Sequence, residues 1–368
     1  MKAYRITRPA GADAGGGERD GAGPPPLEVA DQEALSAGAI LAHDVRDAEG
    51  RLAVAKGTVL DAAAIATLQA LPWRELHLLR PGADDLHETR AGQRLAQAAA
   101  GDGVVVGDVA AGAWPLQARH RGILQVRGPA LDAVNLVDGL SVYTLFDGQV
   151  VEAGETVARA KIVPFVIARS ALAEGEAVAR AAGGVVHVRA FRPTVVGAVV
   201  QESLGPRAMA RFEAALGEKV RWFGSTLLEP AFVSADAHAI AAGIERQVAR
   251  GATIVAVAGS RPMDPLDPVY EALARTGAVM ERQGVPAHPG SLVWLARRGE
   301  VPIIGMPACG LFSQATVFDL LLPRLLVGER LRGGDLAALG HGGFLTRDMA
   351  YRFPPYREAR DRGAVEAW

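Results

Sequence analysis

The second half of the chain, from Arg192 onward, alternates short runs of small and branched apolar residues with stretches of helical periodicity. The apolar runs predict strands at 194–200, 220–228, 254–258, 291–296 and 301–305. The periodic stretches predict helices at 207–217, 234–250, 268–276 and about 312–326, the last bent or broken at Pro323. This alternation is typical of an α/β fold in which a mainly parallel sheet is covered by helices, a three-layer domain.

The first half is less regular. Residues 9–26 are rich in Gly, Pro and Ala and predict a disordered or variable segment. A helix is predicted to open near Asp61, a residue of the N-cap type, and a strand is predicted at 75–79. Residues 88–100 have a helical pattern. From Gly103 to about Arg169 short strands are cut by Gly and Asp turns, and 155–167 is one of these strands.

These changes of pattern divide the chain into five predicted segments. They are a variable N-terminal segment (1–26), a small α/β module (27–100), a β-rich module (101–190), the mainly parallel α/β domain (191–332) and a C-terminal extension (333–368). At 368 residues the chain is too long for one typical core, so more than one domain is expected.

Composition excludes several classes of partner. With 39 basic and 41 acidic residues the net charge is -2, so no global positive field draws the chain to nucleic acid or to an anionic membrane. No apolar run approaches the ~20 residues of a membrane helix, and the N-terminus has no signal-peptide core. The single cysteine, Cys309, rules out an internal disulfide and indicates a reducing compartment. A soluble, cytoplasmic protein is expected.

The common catalytic and phosphate-binding signatures are missing from the sequence. There is no GxxxxGK[ST] loop and no GxSxG elbow, and the eight histidines show no metal-ligand spacing. What remains is a set of three loops predicted at the carboxyl ends of strands, where parallel sheets bind ligands. They span 259–267, 288–292 and 305–316, and the third leads into a helix N-terminus, which suits an anion.

Each notable side chain in these loops also has a structural interpretation. Asp267 before Pro268 fits helix capping as well as catalysis, and Asp264 before Pro265 fits a turn. Pro289-Gly290 is a common type II turn sequence. Cys309 could be a small packed residue, and Glu202 a solvated carboxylate.

The longest motif in these loops has a family likeness. The stretch "VPIIGMPACGLFSQATVFDLLLPRLLVGERL" (301–331) resembles the molybdopterin-binding domain of molybdenum-cofactor biosynthesis proteins. The nearest likeness is to molybdopterin-binding relatives of the molybdopterin molybdenumtransferase. "AGSRPMDPLD" (258–267) and "HPGSL" (288–292) match further loops of that family, and the likeness extends over about 35–344.

The resemblance implies a ligand, molybdopterin or its adenylylated form, bound over the parallel sheet. It assigns binding of this ligand to Gly259, Ser260, Pro289, Gly290, Ser291, Pro307, Ala308, Cys309 and Ser313. It assigns catalysis to Asp267, with Asp264 or Glu202, and gives Asp267 the role of holding Mg²⁺. Molybdate, a molybdenum enzyme and a second copy of the chain are the further partners it implies.

The sequence departs from the family pattern where the phosphate would bind. Ser260 and Pro262 replace a glycine and a serine, Pro307-Ala308 replaces Pro-Gly, and "VVQES" (199–203) stands in place of Thr-Gly-Asn/Asp-Glu. Three hypotheses follow: a molybdopterin-binding protein in cofactor biosynthesis, handling or sensing; an active Mg²⁺-dependent transferase; and a scaffold that keeps the fold without the ligand. The third predicts that Val200, Arg261 and Met263 fill the crevice.

Overall fold

A computed structural model describes residues 1–7, 34–201, 205–306 and 316–356 of the chain. The chain forms two compact units, each assembled from several segments. The first unit consists of Met1–Gln117, Arg127–Thr144 and Thr156–Val186, and the second of Ala118–Val126, Leu145–Glu155 and His187–Trp368. In the ranges described, no helix is both long enough and apolar enough to cross a membrane. The division into five segments stays a prediction.

The bounds of the elements follow in chain order. The first fourteen strands are β1 (Lys2–Thr7), β2 (Ile40–Leu41), β3 (Val45–Arg46), β4 (Leu52–Val54), β5 (Glu75–Arg80), β6 (Asp85–His87), β7 (Val104–Val106), β8 (Trp114–Ala118), β9 (Gly122–Val126), β10 (Leu140–Thr144), β11 (Val150–Val151), β12 (Thr156–Ile162), β13 (Val166–Ala168) and β14 (Val186–Ala190). The later strands are β15 (Val195–Val200), β16 (Thr226–Leu227), β17 (Ala231–Phe232), β18 (Ile254–Ala258), β19 (Val279–Gln283), β20 (Trp294–Arg298) and β21 (Val301–Met306). The α-helices are α1 (Ala62–Ala70), α2 (Glu88–Ala99), α3 (Gly128–Asn135), α4 (Arg169–Ala181), α5 (Pro206–Trp222), α6 (Ala237–Ala249), α7 (Pro268–Arg275), α8 (Val317–Leu326) and α9 (Gly333–Ala337).

The first unit is built on small antiparallel sheets. Strands β1, β5 and β2 form one sheet in the order β1-β5-β2, and β10, β12, β8 and β7 form another in the order β10-β12-β8-β7. Helix α1 begins where the sequence predicts, because the Asp61 side chain accepts a hydrogen bond from the Ala64 N–H at 2.8 Å. The apolar residues Ile6, Leu68 and Leu76 are buried together under the first sheet. The sequence pattern did not reveal α3 or α4.

A partly buried ion pair joins α2 to α4 in this unit. Arg94 donates two hydrogen bonds to the Glu176 carboxylate, at 2.8 and 2.7 Å, and Glu176 is 2% exposed. Arg180, one turn further along α4, lies 3.3 Å from the same carboxylate. The Arg94 hydrogen bonds hold the pKa of Glu176 below its ordinary value, although burial acts in the opposite direction.

The last segment of the second unit contains the predicted mainly parallel sheet. Its strand order is β16-β15-β18-β21-β20-β19, and β17 also pairs with β15. Strands β15, β18 and β21 run parallel, β16 and β17 run parallel to β15, and β20 and β19 are antiparallel additions at one side. A separate small sheet has the order β11-β9-β14.

Helices cover both faces of the large sheet, which confirms the three-layer α/β prediction. On one face Phe212 of α5 and Phe318 of α8 pack with Val200 and Ala258 of the sheet. The other face buries α6 and α7, and their members in the core are Ile240, Ile244, Val269 and Leu273. Because side chains of a strand alternate between faces, β18 serves both cores.

Several predicted bounds are wrong at their ends, for identifiable reasons. Of the strand predicted at 220–228 only Thr226–Leu227 (β16) is a strand, because Phe212, Leu216 and Val220 recur at helical spacing and α5 continues to Trp222. The strand predicted at 291–296 begins only at Trp294. The segment 155–167 is two strands, β12 and β13. Helix α8 runs through Pro323 to Leu326 without interruption, and residues 312–315 lie outside the described ranges.

Candidate functional site

The carboxyl ends of the three central parallel strands lie side by side. Val200 of β15 stands opposite Ala258 of β18, and Ala258 stands opposite Met306 of β21. Strand β20 runs the other way, so its first residue, Trp294, pairs with Gly305 at the same end of the sheet. We call this end of the sheet the carboxyl edge. It brings together the loops that follow β15 and β18 and the loop that precedes β20.

Seven of the predicted site residues fall in the described ranges. They are Gly259, Ser260, Asp264, Asp267, Pro289, Gly290 and Ser291. The others lie outside the described residues: Glu202, Pro307, Ala308, Cys309 and Ser313. Their proposed roles stay predictions.

The first loop of the carboxyl edge turns immediately after β18. Gly259 has a φ of 89°, a left-handed conformation that glycine adopts readily. Ser260 is buried, and its Oγ accepts a hydrogen bond from Trp294 Nε1 at 3.1 Å. The indole ring fits here because Gly305 has no side chain, since a Cβ on Gly305 would stand 1.7 Å from Trp294 Cε2. This hydrogen bond ties β20 to the β18 loop.

Asp267 is buried at 3% exposure and is surrounded by N–H donors. Its Oδ1 accepts from the Val269 N–H at 3.0 Å, which caps α7, and from Gln201 Nε2 at 3.3 Å. Its Oδ2 accepts from the Arg261 N–H at 2.7 Å, and Arg261 Nε lies 3.9 Å away. Three of the roughly four acceptor positions of the carboxylate are therefore occupied.

These contacts do not fit a magnesium site on Asp267. A hard cation would have to displace N–H donors and compete with the guanidinium group of Arg261. Among the described residues, no group of three or more His, Cys, Asp or Glu side chains is placed to hold a metal ion.

The rest of the first loop is also fixed by hydrogen bonds. Asp264 Oδ1 accepts from the Leu266 N–H at 3.0 Å, as expected for a turn. The carbonyl oxygen of Pro262 accepts from the Tyr270 hydroxyl at 2.9 Å and from Gln283 Nε2 at 2.6 Å. Burial raises the pKa of Tyr270, and the charges of Asp267 and Asp264 raise it further, so the hydroxyl keeps its proton and remains a donor.

The side chains of this loop bear on the scaffold hypothesis. The side chain of Arg261 is 74% exposed, and Met263 is 81% exposed. Val200 is fully buried in the core between the sheet and α5. Two of the three residues expected to fill the crevice therefore extend into solvent, which does not support a filled crevice.

The loop 288–292, which we call the Pro-Gly loop, contacts the start of α8. The carbonyl oxygen of Pro289 accepts from the Val317 N–H at 2.9 Å, which satisfies one of the free N–H groups at that helix end. Gly290 has a φ of 110°, and a Cβ placed on it would lie 3.0 Å from Val317 Cβ. Ser291 is exposed, and its carbonyl oxygen accepts from the Val285 N–H at 3.0 Å.

Sequence reasoning missed the ion pair between Lys219 and Asp319, which anchors the first turn of α8 to α5. Two sequence signals could have indicated it. Asp319 stands three residues after Thr316, the spacing of a capping box, and Thr316 donates to it from both its N–H and its hydroxyl. Lys219 is one of only four lysines in an arginine-rich chain.

The chain is similar to solved structures of two Pyrococcus proteins. One is the molybdopterin biosynthesis MoeA protein from Pyrococcus horikosii, with 16% sequence identity and a TM-score of 0.30 over 67% of this chain and 75% of that chain. The other is a molybdenum cofactor biosynthesis protein from Pyrococcus furiosus, with 12% identity and a TM-score of 0.24 over 81% of this chain and 61% of that chain. No protein-family model and no curated protein sequence matches the chain.

Proposed function

We propose that this chain binds a pterin-type small molecule at the carboxyl edge of its large sheet, as a molybdopterin-binding protein in molybdenum-cofactor biosynthesis, handling or sensing. The observation that carries the proposal is the convergence of the loop after β18, the loop 288–292 and Gln201 at this edge, with both loops held by hydrogen bonds. The pterin identity of the ligand rests on the motif resemblance of 258–267, 288–292 and 301–331.

The surroundings of Asp267 favour binding over catalysis. A carboxylate that would hold Mg²⁺ against a phosphate needs free lone pairs directed at the ligand. Asp267 instead directs its oxygens at the N–H groups of Arg261 and Val269 and at the side chain of Gln201. Its role in this proposal is to shape the loop after β18 that the ligand would contact.

Thermal unfolding with added ligand tests the proposal. The protein is heated with molybdopterin and with its adenylylated form, each with and without Mg²⁺. A ligand present at 100 times its Kd stabilises a one-site protein by about 2.7 kcal/mol, which is a clear shift in Tm. We expect a shift with the free pterin that does not depend on Mg²⁺.

Two variants locate the site. Ser260→Ala removes a hydroxyl at the carboxyl edge, and Thr194→Val removes a hydroxyl just before β15, at the opposite end of the sheet. The ligand-induced shift should fall in the first variant and persist in the second. A shift only with the adenylylated form and Mg²⁺ would support the transferase instead, and no shift with either form would leave a scaffold.

A further inference from the structure

Gln201, directly after β15, has a buried oxygen that is not satisfied. The residue is 3% exposed, and its main-chain N–H donates to the Ala258 carbonyl oxygen at 3.0 Å, which extends the pairing of β15 with β18 by one residue. Its side-chain Nε2 donates to Asp267 Oδ1 at 3.3 Å. Among the described residues Oε1 has no hydrogen-bond partner.

The orientation of the amide group follows from Asp267. If the amide were turned over, Oε1 would face Asp267 Oδ1, and two acceptors without a proton would be placed together. The N–H group therefore points at the carboxylate. Since Nε2 and Oε1 diverge from the same carbon, Oε1 points away from Asp267.

A buried acceptor without a donor is rare in proteins because it has lost its water without gaining a partner. Here it lies at the carboxyl edge, one residue beyond the last pair of β15 and β18. The neighbouring Ser260 hydroxyl accepts from Trp294, and within the described ranges it has no acceptor for its own hydrogen. An acceptor and a donor are therefore both available at the place where the proposed ligand binds.

The polarity of Gln201 Oε1 itself disfavours an anion as its partner. Gln201 Oε1 is a partial negative charge, and the amide that carries it is bonded to the buried Asp267 carboxylate. Phosphate oxygens brought to Oε1 would meet an acceptor instead of a donor, with a carboxylate behind it. A neutral ring nitrogen that carries a hydrogen meets neither difficulty.

We infer that Gln201 Oε1 accepts a hydrogen bond from a ring N–H of the ligand, so that the carboxyl edge recognises a neutral nitrogen heterocycle and not a phosphate group. The inference rests on the proposed function and adds to it the part of the ligand that is recognised and the residue that recognises it. Asp267 is a positioning residue in this arrangement, because it orients the Gln201 amide without touching the ligand.

Binding of simple probes to the full chain tests the inference. Isothermal titration is carried out with an unsubstituted pterin, with the same pterin methylated at its ring N–H, and with inorganic pyrophosphate. We expect the pterin to bind, methylation to weaken it by at least about tenfold, and pyrophosphate not to bind at this edge. The methylated probe needs no mutation, so the test does not depend on the folding of a variant.

A pair of glutamine variants adds a matched control. Gln201→Met removes the acceptor at nearly constant volume, and Gln247→Met does the same in α6, where Gln247 is equally buried and its Oε1 is equally without a partner among the described residues. Pterin affinity should fall at least about tenfold in the first variant and remain within about twofold in the second.

The outcomes separate this inference from the proposed function. If Gln201→Met and the methylated pterin both bind like their parents, or if only pyrophosphate binds, the edge is a ligand site but Gln201 does not recognise a ring N–H. If no probe binds to the wild-type protein, both the inference and the proposed function are wrong.

Discussion

Lys219 of α5 and Asp319 of α8 form a buried ion pair in the second unit. Lys219 Nζ donates to Asp319 Oδ1 at 2.6 Å and to Oδ2 at 2.9 Å, and the two side chains are 6% and 0% exposed. Asp319 also accepts from the N–H and the hydroxyl of Thr316 at the start of α8. The pair thus anchors the first turn of α8 to α5, and that turn contacts the Pro-Gly loop of the candidate site through Val317.

Removing one partner of this pair should destabilise the fold. Lys219→Met leaves the Asp319 charge buried without compensation and should lower the free energy of unfolding by about 3–5 kcal/mol, measured by urea denaturation. The double variant Lys219→Met, Asp319→Asn removes the charge and keeps an oxygen for capping, so it should be more stable than the single variant. A double variant as unstable as the single one would show that packing of Lys219, not charge, dominates.

Gly290 should not tolerate a side chain. Gly290→Ala combines the strain of a φ of 110° with a contact at 3.0 Å to Val317 Cβ. Gly277→Ala is the matched control, because Gly277 has a φ of 69° but no atom within 4 Å of an added Cβ. Each change should destabilise, and Gly290→Ala should exceed the control by about 1–3 kcal/mol in the free energy of unfolding. Equal losses would indicate that α8 moves aside.

The two aspartates of the loop after β18 should differ sharply in their effect on stability. Asp267→Ala deprives the Arg261 and Val269 N–H groups of their acceptor and should cost about 2–4 kcal/mol. Asp264→Ala loses only the hydrogen bond from the Leu266 N–H and should cost less than about 1 kcal/mol.

Magnesium is the control for the Asp267 prediction. Because the partners of Asp267 are N–H groups, the difference in Tm between wild type and Asp267→Ala should be the same with and without Mg²⁺. A wild-type Tm that rises with Mg²⁺ while that of Asp267→Ala does not would contradict the structural role and restore Asp267 as a metal ligand.

Glu176 should contribute to acid sensitivity in the first unit. Its pKa in the folded protein is held below the ordinary value of 4.5, so the unfolded chain binds more protons on acidification. The stability from the Arg94–Glu176 pair is therefore complete above about pH 4.5 and is lost as the pH falls through the lower folded value. Glu176→Gln should cost about 1.5–3 kcal/mol at pH 7 and progressively less in acid.

Urea denaturation of the Glu176→Gln variant at several pH values checks this. Glu174→Gln changes an exposed carboxylate on the same helix and is the control, expected to follow the wild-type curve. If the free energy of unfolding of Glu176→Gln stays below that of wild type by the same amount from pH 7 into acid, the pair does not titrate on unfolding.

The sequence by itself determined the local features of this protein. Helical and strand periods predicted the alternation of elements from β15 to β21 and the three layers they form, because each period reflects which face of one element is buried. Asp61 and Asp267 marked helix starts, since a side-chain oxygen before a helix has nearby N–H groups to accept from. The boundary of α5 was missed because an apolar run near a helix end also fits a strand.

Only the tertiary structure decided which distant residues meet. Trp294 and Ser260 are 34 positions apart, Gln201 and Asp267 are 66 apart, and Lys219 and Asp319 are 100 apart. The capping-box spacing marks Asp319 but not its partner, and no local signature marks the other two pairs, because strand order and register, which set the pairs, depend on all the strands at once. The same dependence sets the surroundings of Asp267: its sequence neighbours allowed a helix cap or a metal ligand, and in the fold Gln201, which follows β15, and the main chain of Arg261 donate hydrogen bonds to its oxygens.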